Sequence, residues 1–469
     1  MVSTRLVTLF ACQALYMGVY TAAFQITAYF PGSPTGIAIG PRAVGAVFSA
    51  YPLATMLATP LPPMVISLLG ERTTAAIGIF CAAVGVLAFG ILPSLLPAGN
   101  TLLFFLLMMR MLGGFGASLL ETACLTSIAM SGWGDDIGKA LATIEVITGS
   151  ASAFGGVVAG QLYEIGAYLP LGAFFTPCAF CGALLLLLLP VVTVLPPKRV
   201  AGLDEDGEES ADVDLWKLLS PRRVATGLSL ALSAAVVEAV NPMLEPHLLR
   251  WPYGFTPSSV GLLFGTICGS YMLCALATGV AVDYLSRDSA SMGSRLKLFM
   301  AVGWVLLVVA MVLIGPTAKT AEFSTDIESE TPAKITWGAA VVLGIASSAL
   351  VLPSLPDMLA GVHPDDEVSK AAISSCWNGL YAIGSTIAPL ASTYIYTAVG
   401  FAYTCTTFAI VGALAAVALT LTAVFGNNRA KASRSSSHPN YHAAMCDKGT
   451  RTEPLLRVCD SGSKARRAV

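Results

Sequence analysis

The sequence predicts an all-α membrane protein of twelve transmembrane helices, arranged as two pseudo-symmetric six-helix bundles. Three observations predict it. Of 469 residues, 55% are hydrophobic and only 12% are charged, about half the roughly 25% charged content of a soluble domain. Twelve separate apolar runs approach the roughly 20 residues that a bilayer crossing needs. The longest polar connection, 196–221, follows the sixth of these runs.

Taken in order, the first six spans are expected at 5–30, 43–68, 73–97, 101–130, 138–163 and 168–195. The first opens with MVSTRLVTLFACQALYMGVYTAAF, whose single Arg and lack of a small-residue cleavage site suit a retained span rather than a signal peptide. The connection PPKRVAGLDEDGEESADVDLWKLLSP (196–221) is acidic and Pro-bounded, as expected of a flexible cytosolic linker. The second six spans are expected at 222–247, 258–284, 295–316, 336–361, 368–396 and 399–425, with a polar loop at 317–335. The domains are therefore 1–195 (N-terminal half), 196–221 (linker), 222–425 (C-terminal half) and 426–469, a polar tail expected to be disordered and cytosolic.

Basic residues set the orientation. With both termini in the cytosol, 21 of the 26 Lys and Arg residues fall on that side; Arg42, Arg250, Lys319 and Lys334 fall opposite, and Arg110 lies within a span. Plasma membrane and intracellular vesicle membrane are both compatible with this pattern.

Several classes are excluded as expectations. A net charge of −2 without a basic stripe gives no nucleic-acid surface. Nine of eleven cysteines lie in apolar runs, against a disulfide framework. Cys178 and Cys181 have metal-ligand spacing, but FFTPCAFCGALLLLLLP carries no charge, so they read as packing residues. There is no GxxxxGK[ST], HExxH or nucleophile elbow. The expectation is a non-enzyme without catalytic residues, metal or cofactor, acting as a monomer in the lipid bilayer on a small-molecule substrate and protons.

An internal repeat supports the two halves. Shifting span five by 233 positions onto span eleven sets Gly155-Gly156-Val157-Val158-Ala159-Gly160 against Ala388-Pro389-Leu390-Ala391-Ser392-Thr393. The same shift sets Glu145 on Asn378 and Tyr163 on Tyr396. Weak internal symmetry of this kind is common in transporters.

Three stretches carry a resemblance to a known family. They are NPMLEPHLLRWPYGFTPSSVGLLFGTICGSYMLCALATGVAVDYLSR (241–287), SSCWNGLYAIGSTIAPLAS (374–392) and RMLGGFGAS (110–118). They resemble the major facilitator superfamily, within it the proton-coupled drug and vesicular amine or polyamine transporter branch. The chain departs from that pattern in four places, one of them the loop motif reduced to Gly70-Glu71-Arg72. Span five has Gly155-Gly156 where Gly-Pro is usual, and Asn378 stands where an acid is usual. Span one offers Gln13, Tyr16, Tyr20 and Gln25 in place of a membrane acid. The resemblance implies the major facilitator fold, with spans one, four, seven and ten lining a central cavity. It also implies proton-coupled antiport of a small organic cation (an amine, polyamine or drug). The alternatives are a uniporter or symporter of a neutral or anionic metabolite, with Arg110 on its carboxylate, and a transport-inactive receptor or scaffold. Gly70 and Arg72, in a reduced Gly70-Glu71-Arg72 loop motif, and Asp283 and Arg287, in Gly279-x-x-x-Asp283-x-x-x-Arg287, are the expected gating residues by the same resemblance.

Away from the span ends, six ionisable residues sit where lipid should be: Arg110, Glu121, Glu145, Glu238, Glu245 and Asp357. Each costs at least ~2.5–3.5 kcal/mol at the bilayer centre, so each must face protein or a watery path. Arg110 and Glu121 are eleven residues apart, within about 20° of eclipsed and about 16 Å apart along one helix face. Arg110 either pairs with Glu238 of span seven across the cavity or binds backbone carbonyls within its own half. Glu121 and Glu145, at similar depth, are the candidate proton site, joined by Asp357, which could equally be a solvated helix end. Tyr16, Asn241, Asn378 and Trp377 complete the candidate substrate-binding set with Arg110 and Glu238. Trp377 could stack on a cation or simply pack. Glu245 and His247 belong to the outer mouth.

Overall fold

The structure is a computed structural model describing residues 4–28, 40–58, 60–129, 137–170, 172–194, 220–248, 255–286, 292–317, 331–360 and 367–436. Twelve long helices run through these residues: α1 (Thr4–Ala28), α2 (Pro41–Ala58), α3 (Leu61–Leu95), α4 (Asn100–Ala129), α5 (Ile137–Gly166), α6 (Phe175–Val194), α7 (Pro221–Leu248), α8 (Pro257–Ser286), α9 (Met292–Val312), α10 (Thr331–Val351), α11 (Glu367–Val399) and α12 (Phe401–Ser436). Among the described residues, nine stretches are apolar and long enough to cross a membrane, and α2 adds a shorter one.

Prolines and glycine move four predicted boundaries. Span two is interrupted after Ala58, and its second piece starts at Leu61 and runs into the third span through a kink at Gly70. Pro60, Pro62 and Pro63 lack the N–H groups that would continue a ladder from α2. Gly70 takes φ 79°, a conformation favourable only without a Cβ. Span six starts at Phe175, later than expected, and span ten ends its regular ladder at Val351 before Pro353 opens a short helix, Ser354–Leu359. The tail expected to be disordered from 426 is helical as far as Ser436, because α12 continues through it. By contacts, Met1–Val424 forms one compact unit and Phe425–Val469 another.

Two apolar cores hold the first unit. One is built from residues between Leu9 and Val192, the other from residues between Val236 and Leu419. The helix pairings repeat after six: α1–α5 recurs as α7–α11, α2–α4 as α8–α10, and α3–α4 as α9–α10. The two sets meet along α2–α11 and α5–α8, which exchange under the same rule.

The repeat holds at the level of single residues. Helices α2 and α8 open with the related sequences Pro41-Arg-Ala-Val-Gly45 and Pro257-Ser-Ser-Val-Gly261. A Cβ on Gly45 would lie 2.6 Å from the Pro389 carbonyl oxygen, and one on Gly261 would lie 2.5 Å from that of Gly156. Pro389 and Gly156 are the residues that the 233 shift superimposes. Only glycine lets the two backbones approach so closely, in the manner of small-residue packing in membranes. One turn beyond, the seam is tied by equivalent polar contacts. Ser258 N–H donates to Glu164 Oε1 (2.9 Å), while Arg42 Nε donates to Thr397 Oγ1 (3.4 Å) and its guanidinium lies 4.6 Å from the Tyr394 ring centre. Glu164 and Thr397 are again 233 apart.

Glu164 makes this end of the seam acid-sensitive. Partial burial pushes its carboxyl up, but the Ser258 N–H and the hydroxyls of Ser258 and Thr256 pull it down further, leaving it below its ordinary 4.5. A depressed carboxylate gives stability that is present above its unfolded value and is lost as pH falls through the folded one. Wild-type protein should therefore lose melting temperature below about pH 4.5 in part through this group. Glu164→Gln, compared across the same pH series by thermal unfolding, should show a shallower acid limb. An identical acid limb would remove Glu164 from the account.

Candidate substrate site

Arg110 sits on α4 just before Gly113 and Gly114. A side chain at Gly114 would collide with the Tyr51 carbonyl, so the glycine lets α2 press against α4 and carries Tyr51 up to the guanidinium. Thr55 Oγ1, one turn along α2, bonds the Gly114 carbonyl at 3.1 Å. The Arg110 guanidinium then lies 5.3 Å from the ring centre of Tyr51, 5.8 Å from Phe89 and 5.9 Å from Tyr20, all within cation–π range. Tyr20 and Tyr51 pack with ring centres 4.3 Å apart. Tyr16 Oη donates to the Gly113 carbonyl (2.9 Å) and so accepts from the Tyr51 hydroxyl. Arg110 is 5% exposed, and its Nε and Nη2 have no hydrogen-bonding partner among the described residues. The cage borders a pocket of about 30 Å³.

This arrangement corrects the expected contact between Arg110 and Glu238. Among the described residues no ion pair joins them, and backbone carbonyls do not take Arg110 Nε or Nη2 either. Aromatic faces lie against the guanidinium instead. Glu238 is partly buried on α7 and accepts from Asn241 Nδ2 at 3.2 Å. Tyr20 lies within electrostatic range of both charges, so the two expected residues share a neighbour rather than a bond. Tyr16 belongs to the cage. Tyr20, Tyr51 and Phe89 were not foreseen as site residues, although the Gly113-Gly114 pair beside a membrane Arg was a signal for them.

The remaining candidates separate. Glu121 is exposed, with Tyr16 and Tyr51 in its electrostatic range as they are in that of Arg110, in keeping with one shared face of α4. The side chains of Glu145 and Glu245 lie outside the described residues, and with Glu145 goes the expected carboxylate pair. His247 stacks on Phe401 at 4.0 Å. Asn378 is exposed, while Trp377 donates from Nε1 to Ser354 Oγ (2.7 Å) and stacks on Tyr381, the packing arrangement. Gly70 is the kink residue and Arg72 is partly buried in the helix after it; Asp283 is exposed, and Arg287 lies outside the described residues.

Asp357 is no solvated helix end. Its carboxylate is buried in an ion pair with Lys297 of α9 and accepts from Thr226 of α7, both side chains of the ion pair being 1% exposed. Arg223 Nε bonds the Met358 carbonyl at 2.8 Å. The cluster clamps α7, α9 and the short helix together. Lys297, one of the 21 basic residues that the sequence count places on the cytosolic side, is a core residue, 1% exposed.

Twelve helices in two related sets of six, with a buried cation and a carboxylate that share Tyr20 as a neighbour, define a multi-pass membrane transporter. The sequence profile of the Major Facilitator Superfamily matches residues 7–321 and 226–458. The chain belongs to that superfamily. It is 21% identical to the MFS-type transporter SLC18B1 of Rattus norvegicus over 383 residues, covering 80% of this chain and 76% of that one. It is also 21% identical to the Mus musculus protein of the same name over 368 residues, 76% and 73% of the two chains. Among solved structures it resembles the nucleoside transporter NupG (TM-score 0.67, 14% identity, 90% of this chain and 99% of that one). It also resembles a bacterial homolog of the human lysosomal transporter Spinster in an inward-facing state (TM-score 0.65, 13% identity, 92% and 98%). At these identities the likeness is one of fold.

Proposed function

We propose that this chain exchanges protons for a small organic cation by alternating access, its two halves (1–195 and 222–425) rocking about the region between Arg110 and Glu238. Glu238 carries the reading. It is a carboxylate within a membrane span, partly accessible, with one hydrogen bond from Asn241, and Tyr20 of α1 lies within its electrostatic range. A carboxylate beside aromatic rings is the chemistry that recognises an ammonium group. The same carboxylate can take a proton when the cation leaves, which couples the two fluxes. The glycine seam and the Glu164 and Arg42 contacts close one end of the molecule. By the basic-residue count the closed end is the outer one and both termini are cytosolic.

Uptake into proteoliposomes tests this. Monoamines, polyamines, small carboxylic acids and nucleosides are offered with and without an inside-acid pH gradient. Accumulation of amines alone, and only with the gradient, is the expected result. Flux of an acid or a nucleoside indifferent to pH would replace this reading with uniport.

A further inference from the structure

The Arg110 cage leaves a chemical question open. The guanidinium is 5% exposed, and its Nε and Nη2 donors meet no acceptor among the described residues. The nearest candidates for acceptor are already engaged. Tyr16 donates to the Gly113 carbonyl and holds the Tyr51 hydroxyl, while Glu238 is held by Asn241 on its own helix. Tyr20, Tyr51 and Phe89 offer ring faces, which attract the positive charge but accept no in-plane N–H bond well. A buried cation stripped of water and left without a counter-charge is among the most unfavourable arrangements in a protein.

We propose that the Arg110 cage is an anion site that takes a small monovalent anion of halide size, bound by the Nε and Nη2 edge of the guanidinium. The size follows from the pocket. Its volume of about 30 Å³ holds about two or three water-sized particles, enough for a monatomic anion. The guanidinium supplies planar, charged donors, and the apolar ring faces around it strip water from an ion, favouring weakly hydrated halides over strongly hydrated anions. The inference deepens the proposed cation exchange and rests on it for its purpose. An uncompensated Arg110 would repel an incoming ammonium group, and a bound anion cancels that repulsion while leaving Glu238 free for the cation or the proton.

The test is thermal unfolding of the purified full-length chain at constant pH and ionic strength, as sodium gluconate is replaced stepwise by sodium chloride, bromide or formate. The expected result is a saturable rise in melting temperature with chloride and bromide, absent with gluconate and abolished in Arg110→Gln. Tyr51→Phe, which keeps the ring and removes the hydroxyl, should keep the halide response. Should Arg110→Gln not fold, Arg110→Lys takes its place and should weaken the response at least several-fold, because the planar fork is lost. No halide-specific rise, or the same rise without Arg110, overturns the proposal. A rise with formate and none with halides overturns the halide assignment in favour of a carboxylate. Amine flux measured in sodium chloride separates this idea from the transport reading. Flux without a halide effect on melting sinks the anion site only; a halide effect without any flux sinks the cation exchange only.

Discussion

Replacing Lys297 with methionine should destabilise the protein by about 3–5 kcal/mol, the usual cost of leaving one member of a buried ion pair unpaired. The Asp357 carboxylate it abandons is buried against Thr226 and lies at the junction of α7, α9 and the short helix. Methionine fills the space left by the lysine stem, so the loss is electrostatic rather than a cavity. The double variant Lys297→Met with Asp357→Leu should recover most of that loss, since removing both charges also removes the cost of keeping them out of water. Thermal unfolding in detergent measures all three proteins. If the single and double variants melt alike, the pair is not what holds this corner together.

Glu238→Gln should reduce gradient-driven flux by at least about tenfold, equivalent to 1.4 kcal/mol, without a comparable loss of stability. Glutamine keeps the shape and the contact with Asn241 but can hold neither a proton of exchangeable charge nor an ammonium group by charge. The structure adds a control that the sequence did not suggest: Arg110 is not bonded to Glu238, so Glu238→Gln leaves no newly orphaned cation and should fold normally. Initial uptake rates with and without a pH gradient, together with melting temperatures, read both halves of the expectation. Full gradient-driven flux in Glu238→Gln would move the coupling elsewhere, Glu121 being the next carboxylate to examine.

The helices were legible because lipid imposes a simple rule: about 20 apolar residues or no span. The breaks were legible only in hindsight. Pro60, Pro62, Pro63 and Pro353 stand in runs whose mean composition still satisfies that rule, and their effect is on the hydrogen-bond ladder rather than on hydropathy. The two-fold relation was half visible. The 233 shift was read from small residues of spans five and eleven, while the Pro41 to Gly45 and Pro257 to Gly261 pair, five residues long, becomes significant only once α2 and α8 are seen to meet those spans.

The site was legible where charge was concerned and obscure where aromatic rings were. Arg110 and Glu238 stand out in apolar sequence because each is expensive there. Tyr51 and Phe89 do not, since tyrosine and phenylalanine are ordinary in membrane helices, and only the depth at which Gly114 lets α2 approach α4, and Gly85 lets α3 approach it, gives them a role. Lys297 was misplaced for a related reason. A lysine near the inner end of a span satisfies the positive-inside pattern, and its burial depends on Asp357, 60 positions further along the chain. No local window contains that partner.

The most direct test of the account is a proton measurement. Proteoliposomes loaded with acidic buffer and a pH-sensitive dye are diluted into neutral medium, and a polyamine or monoamine is added outside. Proton-for-cation exchange predicts that the amine collapses the gradient at a rate that saturates with its concentration in wild type and falls to the protein-free leak in Glu238→Gln. A gradient that the amine leaves untouched, while labelled amine still enters the same vesicles, would contradict the exchange.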